Sequence, residues 1–174
     1  MSNEQVLVTG ISGFIAKHVA LRLLQNGFSV RGTVRKLTRG DEVRRALQTH
    51  DVDLSRLSFV GADLGSDAGW EEAARGCDFV HHVASPFPMN QPRDRYALVP
   101  AAREGTLRVL RAARAAGVTR IVFTSSMVAM MYRAGRPREF GVIESNWTDP
   151  DWKPLSAYIV SKTLAERAAW AWAE

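Results

Sequence analysis

The sequence predicts an α/β fold in which helices cover both faces of one doubly wound parallel sheet. Three observations support this prediction: short apolar segments alternate with amphipathic helical ones along the 174 residues, glycines follow several helical segments, and the first apolar segment runs into a glycine-rich turn. Right-handed crossovers join strands that alternate with helices, so the order βαβαβαβαβ implies a parallel sheet. One domain spanning residues 1–174 is expected, because this length suffices for a single well-buried core.

The composition argues against several classes of protein. Lys and Arg exceed Asp and Glu by 23 to 18, but the basic residues are scattered and no nucleic-acid-binding motif is present, so no nucleic-acid partner is expected. Cys77 is the only cysteine, which suits a reducing cytoplasm, and no Cys/His cluster has metal-ligand spacing, so no metal site is expected. The sequence contains neither a leader-like start nor an apolar run of about 20 residues, so no membrane association is expected.

The first strand, turn and helix form a candidate phosphate site. Residues 6–8 are apolar, and helical periodicity runs from about residue 14 to residue 26. Gly10 permits a tight turn, Gly13 lets a pyrophosphate lie against the backbone, and Ala16 lets the helix pack closely on the strand. The helix N-terminus adds unpaired N–H groups and the positive end of the helix dipole. The candidate cofactor-binding residues of this turn are Gly10, Ser12, Gly13, Phe14 and Ile15.

The second predicted strand, residues 28–34, ends in basic residues. In a dinucleotide-binding fold this strand end meets the adenosine ribose, where a carboxylate would accept a hydrogen bond from the 2′-hydroxyl of NAD. Arg35 and Lys36 stand there instead, with Arg39 close behind, and a guanidinium suits a 2′-phosphate. The sequence therefore favours NADP(H), and the alternative is an exposed basic turn between strand and helix.

The middle of the chain continues the alternation. Asp63 is expected to accept a hydrogen bond from an adenine amino group, to cap the next helix, or to do both. His81 and His82 are interpreted as structural, because neighbouring strand residues face opposite sides of a sheet and cannot converge on one ion. The proline-containing loop at residues 84–88 is expected to line the ligand crevice. The elements predicted here are a helix at 41–48, a strand at 57–60, a helical turn at 71–75 and a strand at 78–83.

A long helix and a fifth strand complete the predicted sheet. The helix is expected over residues 96–116 and the strand over residues 120–123, running into Ser125 and Ser126. Residues 133–154 are expected to be irregular, because three prolines interrupt any continuous helix. Gly27 and Gly117 are the predicted C-caps of the first and the long helix, and Arg103, Arg108, Arg111 and Arg114 are assigned to a solvated helix face.

The last predicted helix, residues 156–174, carries a tyrosine and a lysine four residues apart. Tyr158 and Lys162 therefore share one helix face, and a nearby ammonium stabilises the phenolate form of a tyrosine. Tyr158 is a candidate acid or base, and Ser126, after the fifth strand, is a candidate for holding a substrate carbonyl oxygen. Ser125 is the alternative serine.

These motifs resemble the extended short-chain dehydrogenases/reductases. Within them the sequence is most similar to the branch of dihydroflavonol reductases, cinnamoyl-CoA reductases and related microbial aldehyde or ketone reductases. The resemblance covers nearly the whole chain, and the matching stretches are residues 8–15, 32–35, 62–64, 82–86, 122–126 and 158–166.

The resemblance implies a Rossmann fold and NADPH-dependent reduction of a small-molecule carbonyl substrate. Lys162 would also hold the nicotinamide ribose. In related folds the long helix and the Tyr-Lys helix pair across a two-fold axis, which makes a homodimer a candidate assembly. The implied roles are Arg35 on the 2′-phosphate, Asp63 and Leu64 at the adenine, Val83, Ala84 and Ser85 along the cofactor, and Ser126, Tyr158 and Lys162 in catalysis.

The chain is shorter than members of that family, in which the part beyond the Tyr-Lys helix supplies a further strand and most of the substrate lid. It stops within a helical pattern that contains Trp170 and Trp172, so an N-terminal portion lacking the C-terminal strands and substrate domain is expected. Substrate choice is then expected to depend on that part and on the loops at residues 87–95 and 130–152. The alternatives are a cofactor-binding fragment without activity, and a hydroxysteroid dehydrogenase or nucleotide-sugar epimerase, although epimerases retain NAD and Arg35 favours NADP.

Overall fold

The computed structural model describes residues 4–135, 137 and 140–174, which form two compact units. The first unit contains the chain through Ala84 and then Arg108–Thr124, and the second contains Ser85–Leu107 and Ser125–Glu174. Part of the predicted irregular stretch at 133–154, and of the variable loop at 130–152, lies outside the described residues. The undescribed positions are Met1, Ser2, Asn3, Arg136, Arg138 and Glu139.

The first unit is built on a five-stranded sheet in which every neighbouring pair of strands is parallel. The strand order is β3-β2-β1-β4-β5, so the chain runs outward from β1 to one edge and then returns to extend the other side. This is the doubly wound Rossmann arrangement, and the predicted fold class is confirmed. The strands are β1 (Gln5–Val8), β2 (Ser29–Val34), β3 (Leu57–Gly61), β4 (Phe79–His82) and β5 (Arg120–Phe123).

Helices cover both faces of this sheet because alternate strand residues point to opposite sides. Val6 and Val8 of β1 belong to a core that contains Leu21 and Val43, whereas Leu7 between them belongs to a second core with Val109. One face is thus covered by the first two helices and the other by the next two. The helices of the sheet layer are α1 (Phe14–Gln25), α2 (Arg39–Leu47), α3 (Trp70–Ala74) and α4 (Gly105–Ala115), with a 3-10 turn at Leu54–Arg56.

The long helix predicted at residues 96–116 begins later than expected. Its regular part starts with a π-helical turn at Pro100–Glu104, which leads directly into α4. Proline lacks an N–H and therefore favours the first turn of a helix, so Pro100 sets the start. Upstream of it, the backbone N–H of Tyr96 donates to Asp94 Oδ1 at 2.9 Å in a local turn.

Arg108 departs from the solvated face predicted for the helix arginines. Its side chain is only 23% exposed, donates to the backbone carbonyl of Leu64 at 2.8 Å and forms an ion pair with Asp67. The prediction treated the four arginines alike because helical periodicity shows which face a residue occupies but not what packs there. Arg108 therefore fixes the loop after β3 onto α4.

The second unit is mainly helical. It contains α5 (Val128–Met131), a short helix that the sequence did not predict, and α6 (Ala157–Ala173), which packs against α5 and against the π-helical turn at Pro100–Glu104. Ser156 caps α6, its Oγ accepting from the Ile159 N–H at 3.4 Å. Within the described residues, no helix is both long and apolar enough to cross a membrane.

Thr148 holds part of the irregular segment of the second unit in place. Its side chain is fully buried, and its Oγ1 donates to the Val128 carbonyl at 2.5 Å and accepts from the Tyr132 N–H at 2.9 Å. Both partners lie at the ends of α5. The described part of the segment before α6 is irregular in secondary structure, as predicted, and these partly buried hydrogen bonds tie it to α5.

Candidate active site

The glycine-rich turn after β1 has the geometry that its sequence predicts. Gly10 has φ +64°, and a Cβ there would lie 3.0 Å from Ala84 Cβ, so glycine is required both for the conformation and for the close approach. Its N–H donates to Thr33 Oγ1 at 2.8 Å, and the Gly13 N–H donates back to the Gly10 carbonyl at 2.9 Å. The turn is thereby fixed to β2 and to the loop after β4.

The N-terminus of α1 is open to an anion. Gly13 is the N-cap residue and offers no side chain to the first helical N–H groups, and the first turn of α1 contains no acidic residue. Free N–H groups and the helix dipole together favour a negative charge at such an end. Phe14 and Ile15, which follow, are 78% and 55% exposed.

Thr9 is a site residue that the sequence reasoning missed. Its Oγ1 accepts from the N–H groups of Val83 and Ala84, both at 3.0 Å, and lies 2.8 Å from Nδ1 of His82. With both lone pairs occupied, the hydroxyl donates its proton to Nδ1, so His82 carries its own proton on Nε2. Thr9 thus holds the backbone of two predicted cofactor residues, and only the tertiary structure shows this.

The interpretation of His82 as structural is confirmed. The ring is fully buried, bonded to Thr9 and stacked on Phe123 with centroids 5.4 Å apart. His81 is half-buried, and burial holds the pKa of its imidazole below the usual value. Among the residues that the structure describes, no three His, Cys, Asp or Glu side chains are arranged to hold a metal ion.

The predicted cofactor residues of the first unit all follow the carboxyl ends of parallel strands. Gly10 follows β1, Arg35 follows β2, Asp63 follows β3 and Ala84 follows β4, so they share one edge of the sheet. This edge is where open α/β sheets bind their ligands. The sequence could place these residues after strands because strand ends are local features, and their contact with a cofactor stays a prediction. Ser12, Val83 and Ser85 are half-buried, with Ser85 in the second unit.

The basic residues after β2 differ in how they are engaged. Arg35 and Lys36 are exposed, whereas Arg39 forms an ion pair with Glu42 at 2.9 Å on α2. A guanidinium that already pairs with a carboxylate binds a phosphate less readily than an exposed basic side chain does. Arg35 and Lys36 are therefore the candidates for an anionic ligand at this strand end.

Asp63 does not cap the next helix. Its Oδ1 accepts from the Gly65 N–H at 2.7 Å, which closes a turn immediately after β3, while the N-cap of α3 is Gly69. The helix-capping alternative is therefore wrong, because the turn at residues 63–66 separates Asp63 from α3. Asp63 is exposed and Leu64 is half-buried, so the carboxylate faces solvent at the sheet edge.

Tyr158 and Lys162 occupy the first turns of α6 in very different environments. Tyr158 is half-buried, and its ring packs edge to face on the ring of Phe87 with centroids 4.9 Å apart. The backbone N–H of Tyr158 donates to Gln91 Oε1 at 3.1 Å. Lys162 is 4% exposed, and this burial lowers the pKa of its ammonium to about 8. The negative charge of Glu166 acts in the other direction and raises the pKa of Lys162. Phe87 is 69% exposed and presents an aromatic surface next to the tyrosine.

The two serines left open by the sequence have different partners. Ser125 Oγ donates to Glu166 Oε2, so its proton is already used. Ser126 Oγ accepts from the Val128 N–H at 3.4 Å at the start of α5, a bond that leaves its own proton for another acceptor. These contacts favour Ser126 as the serine that serves a ligand. Glu166 is the second residue that the sequence reasoning missed, although its spacing of four from Lys162 was a signal.

A family model and curated relatives match nearly the whole of this chain. The family model described as the NAD dependent epimerase/dehydratase family matches residues 6–174. The chain is 35% identical over 178 residues to a bifunctional dihydroflavonol 4-reductase/flavanone 4-reductase of Malus domestica, covering 99% of this chain and 50% of that protein. It is 39% identical over 172 residues to cinnamoyl-CoA reductase 1 of Petunia hybrida, covering 98% of this chain and 50% of that protein. The chain spans about half the length of the curated relatives it matches.

Solved structures also match nearly the whole of this chain. Gre2 of Candida albicans, solved in complex with NADPH, superposes with a TM-score of 0.84 at 30% identity, covering 98% of this chain and 53% of that one. Yeast methylglyoxal/isovaleraldehyde reductase Gre2, also solved with NADPH, gives a TM-score of 0.81 at 26% identity, covering 97% of this chain and 52% of that one. Both alignments extend over both units of this chain.

Proposed function

We propose, from the premise that this chain belongs to the NAD dependent epimerase/dehydratase family of extended short-chain dehydrogenases/reductases, that it contributes to an NADPH-dependent reduction of an aldehyde or ketone to an alcohol. The observation that supports this most strongly is Lys162, which is 4% exposed and lies one helical turn after Tyr158 on α6. A buried ammonium at this spacing has a chemical use, because it stabilises a phenolate. The named relatives are reductases, which agrees with this direction of reaction.

The residues of the first unit fit NADPH. Gly10 and Gly13 leave the backbone uncovered at the N-terminus of α1, where a pyrophosphate is favoured. Arg35 and Lys36 are exposed at the end of β2, where a dinucleotide fold meets the adenosine ribose. Two exposed positive charges suit the 2′-phosphate that distinguishes NADPH from NADH.

The proposed mechanism divides the work among three side chains. When bound, the cofactor supplies a hydride to the carbonyl carbon. Tyr158 donates its hydroxyl proton to the carbonyl oxygen, which becomes the alcohol, and is left as a phenolate. Lys162 stabilises that phenolate through its positive charge, and Ser126 donates a hydrogen bond to the same carbonyl oxygen and polarises it.

The direct test is consumption of NADPH by the purified protein with aromatic aldehydes and keto esters as substrates. Turnover with formation of the alcohol is expected. NADPH binding by calorimetry without turnover on any of these substrates would favour the second candidate, a cofactor-binding chain without activity. Absence of both binding and turnover would contradict the proposal altogether.

Replacing Arg35 with alanine is expected to separate the two nicotinamide cofactors. The variant should bind NADPH about 10- to 100-fold more weakly, since a charge-assisted hydrogen bond contributes about 1.5–3 kcal/mol, and NADH about as well as the wild type. Calorimetric titration with both cofactors measures this difference. Arg45→Ala, which removes an exposed arginine from α2, is the control and should leave both affinities unchanged.

The same titration bears on the other members of the family. An epimerase that retains NAD has no use for Arg35, so equal losses of NADPH and NADH affinity in Arg35→Ala would contradict the NADP assignment and revive that alternative. A hydroxysteroid dehydrogenase would share the cofactor preference and differ only in its substrate. The carbonyl panel is therefore extended with a ketosteroid to separate these two.

A further inference from the structure

Glu166 connects two polar side chains of the second unit. Its Oε2 accepts a hydrogen bond from Ser125 Oγ, in the loop between β5 and α5. On α6 it lies four residues after Lys162, and side chains at this spacing are neighbours on one helix face. Its carboxylate therefore has a hydrogen-bond partner in the loop and shares one helix face with the buried lysine.

The charge of Lys162 is not assured by the lysine alone. Burial disfavours an ammonium and lowers the pKa of Lys162 to about 8, so the side chain loses its charge at mildly alkaline pH. A neutral amine cannot stabilise a phenolate at Tyr158. A nearby negative charge opposes this effect of burial, and Glu166 supplies it.

Among the described residues on α6 and on the elements packed against it, no other charged group replaces Glu166. Arg167, next to it on the helix, lies over the Trp147 ring at 5.3 Å and donates to the Thr148 carbonyl at 3.4 Å. The π-helical turn packed on α6 carries Arg103 and Glu104, which pair with each other. α5, also packed on α6, has the sequence Val-Ala-Met-Met and no ionisable side chain, and the loop residues on Tyr158 are Phe87 and Gln91, both uncharged.

We infer that Glu166 is a positioning residue for the proposed reductase: its carboxylate, held by Ser125, keeps the Lys162 ammonium charged, and Ser125 serves this carboxylate and not the substrate. The inference rests on the proposed function. It also explains why two serines follow β5, since one orients Glu166 while Ser126 retains its proton for the carbonyl oxygen.

Two variants separate the charge of Glu166 from its hydrogen bond. Glu166→Gln keeps a carbonyl oxygen that accepts from Ser125 and removes only the charge. In the pH profile of kcat for carbonyl reduction, the fall on the alkaline side (the alkaline limb) should move to lower pH in this variant. The reason is that Lys162 loses its proton more readily without the neighbouring carboxylate. The loss of kcat should be small at neutral pH and on the order of tenfold on the alkaline side.

Ser125→Ala keeps the charge and removes the bond. Its alkaline limb should stay near that of the wild type, with a moderate loss of kcat at all pH values. Glu144→Gln is the matched control, because it removes an exposed carboxylate from the same unit and should leave the whole profile unchanged. A loss of activity in Ser125→Ala as complete as that of Tyr158→Phe would mean that Ser125 contacts the substrate, and would overturn its assigned role.

A second measurement does not depend on activity. The titration of Lys162 is followed by NMR of its side chain, with Lys162→Arg identifying the signal, and its midpoint should fall in Glu166→Gln. An unchanged midpoint together with an unchanged alkaline limb would overturn the inference. Should Glu166→Gln fail to fold, Glu166→Ala supplies the same charge removal and must show the same fall. If Tyr158→Phe retains activity, the proposed function fails, and the Lys162 titration still decides the interaction with Glu166.

Discussion

Tyr158→Phe is expected to lower kcat for carbonyl reduction by about 100- to 10,000-fold, the usual contribution of a positioned general acid. The substitution removes a single oxygen. The ring contact with Phe87 and the backbone hydrogen bond to Gln91 involve other atoms, so the start of α6 should be unchanged. NADPH affinity, measured by calorimetry, should therefore stay close to that of the wild type while turnover is lost.

Tyr132→Phe is the matched control for this result. Tyr132 is half-buried in the same unit, where it stacks on Trp152 with ring centroids 6.4 Å apart. Removing its hydroxyl makes the same chemical change at a position outside the proposed proton transfer, so kcat should change less than about twofold. Tyr132 lies in the loop at 130–152 that is expected to bear on substrate choice, so any effect of this variant should fall on KM. Equal activity of the Tyr158 and Tyr132 variants would remove Tyr158 from the mechanism.

Gly69→Ala is expected to be the most destabilising single substitution among these variants. Gly69 has φ +86°, and a Cβ there would lie 2.0 Å from the carbonyl oxygen of Gly61, the last residue of β3. The obstructing atom belongs to the backbone, so no change of side-chain rotamer relieves the overlap. The loop between Gly61 and Gly69 must open instead, at an expected cost above about 4 kcal/mol.

Gly76→Ala isolates the cost of conformation from the cost of overlap. Gly76 has φ +68°, but no atom lies within 4 Å of a Cβ added there, so only the left-handed conformation opposes alanine. That conformation costs about 1–2 kcal/mol. Denaturant unfolding measures both variants, and similar losses at the two positions would contradict the overlap argument. Because Asp63 and Leu64 lie between Gly61 and Gly69, Gly69→Ala should also weaken NADPH binding if these residues face the adenine.

Most of the secondary structure could be predicted because it depends on local patterns. The predicted strand at 120–123 matches β5. The first helix ends close to the predicted position, but its C-cap is Asn26, and Gly27, with φ +81°, is the residue that follows. The glycine-rich turn was equally local, since Gly10 needs a positive φ whatever its neighbours are. The late start of the long helix was missed because the apolar periodicity extends upstream of Pro100, where residues 95–98 form hydrogen-bonded turns and not a regular helix.

Several expectations remain predictions. These are a single domain over residues 1–174 with a separate substrate part, the role of each site residue, the homodimer, the lack of a nucleic-acid partner and the cytoplasmic location. The homodimer would use the long helix and α6, and α6 has one exposed tryptophan, Trp170, at 59% exposure, whereas Trp172 is half-buried.

The sequence by itself determined the doubly wound sheet, the strand ends that carry Gly10, Arg35 and Asp63, and the Tyr158–Lys162 spacing. The tertiary structure alone decided which side chains these residues meet. Thr9 contacts His82 across 73 residues of chain, and Ser125 contacts Glu166 across 41. Periodicity and glycine preferences act over a few residues, whereas such hydrogen bonds depend on which distant segments the fold brings together. For that reason the different partners of Ser125 and Ser126, on which the proposed choice between them rests, could not be predicted from the sequence.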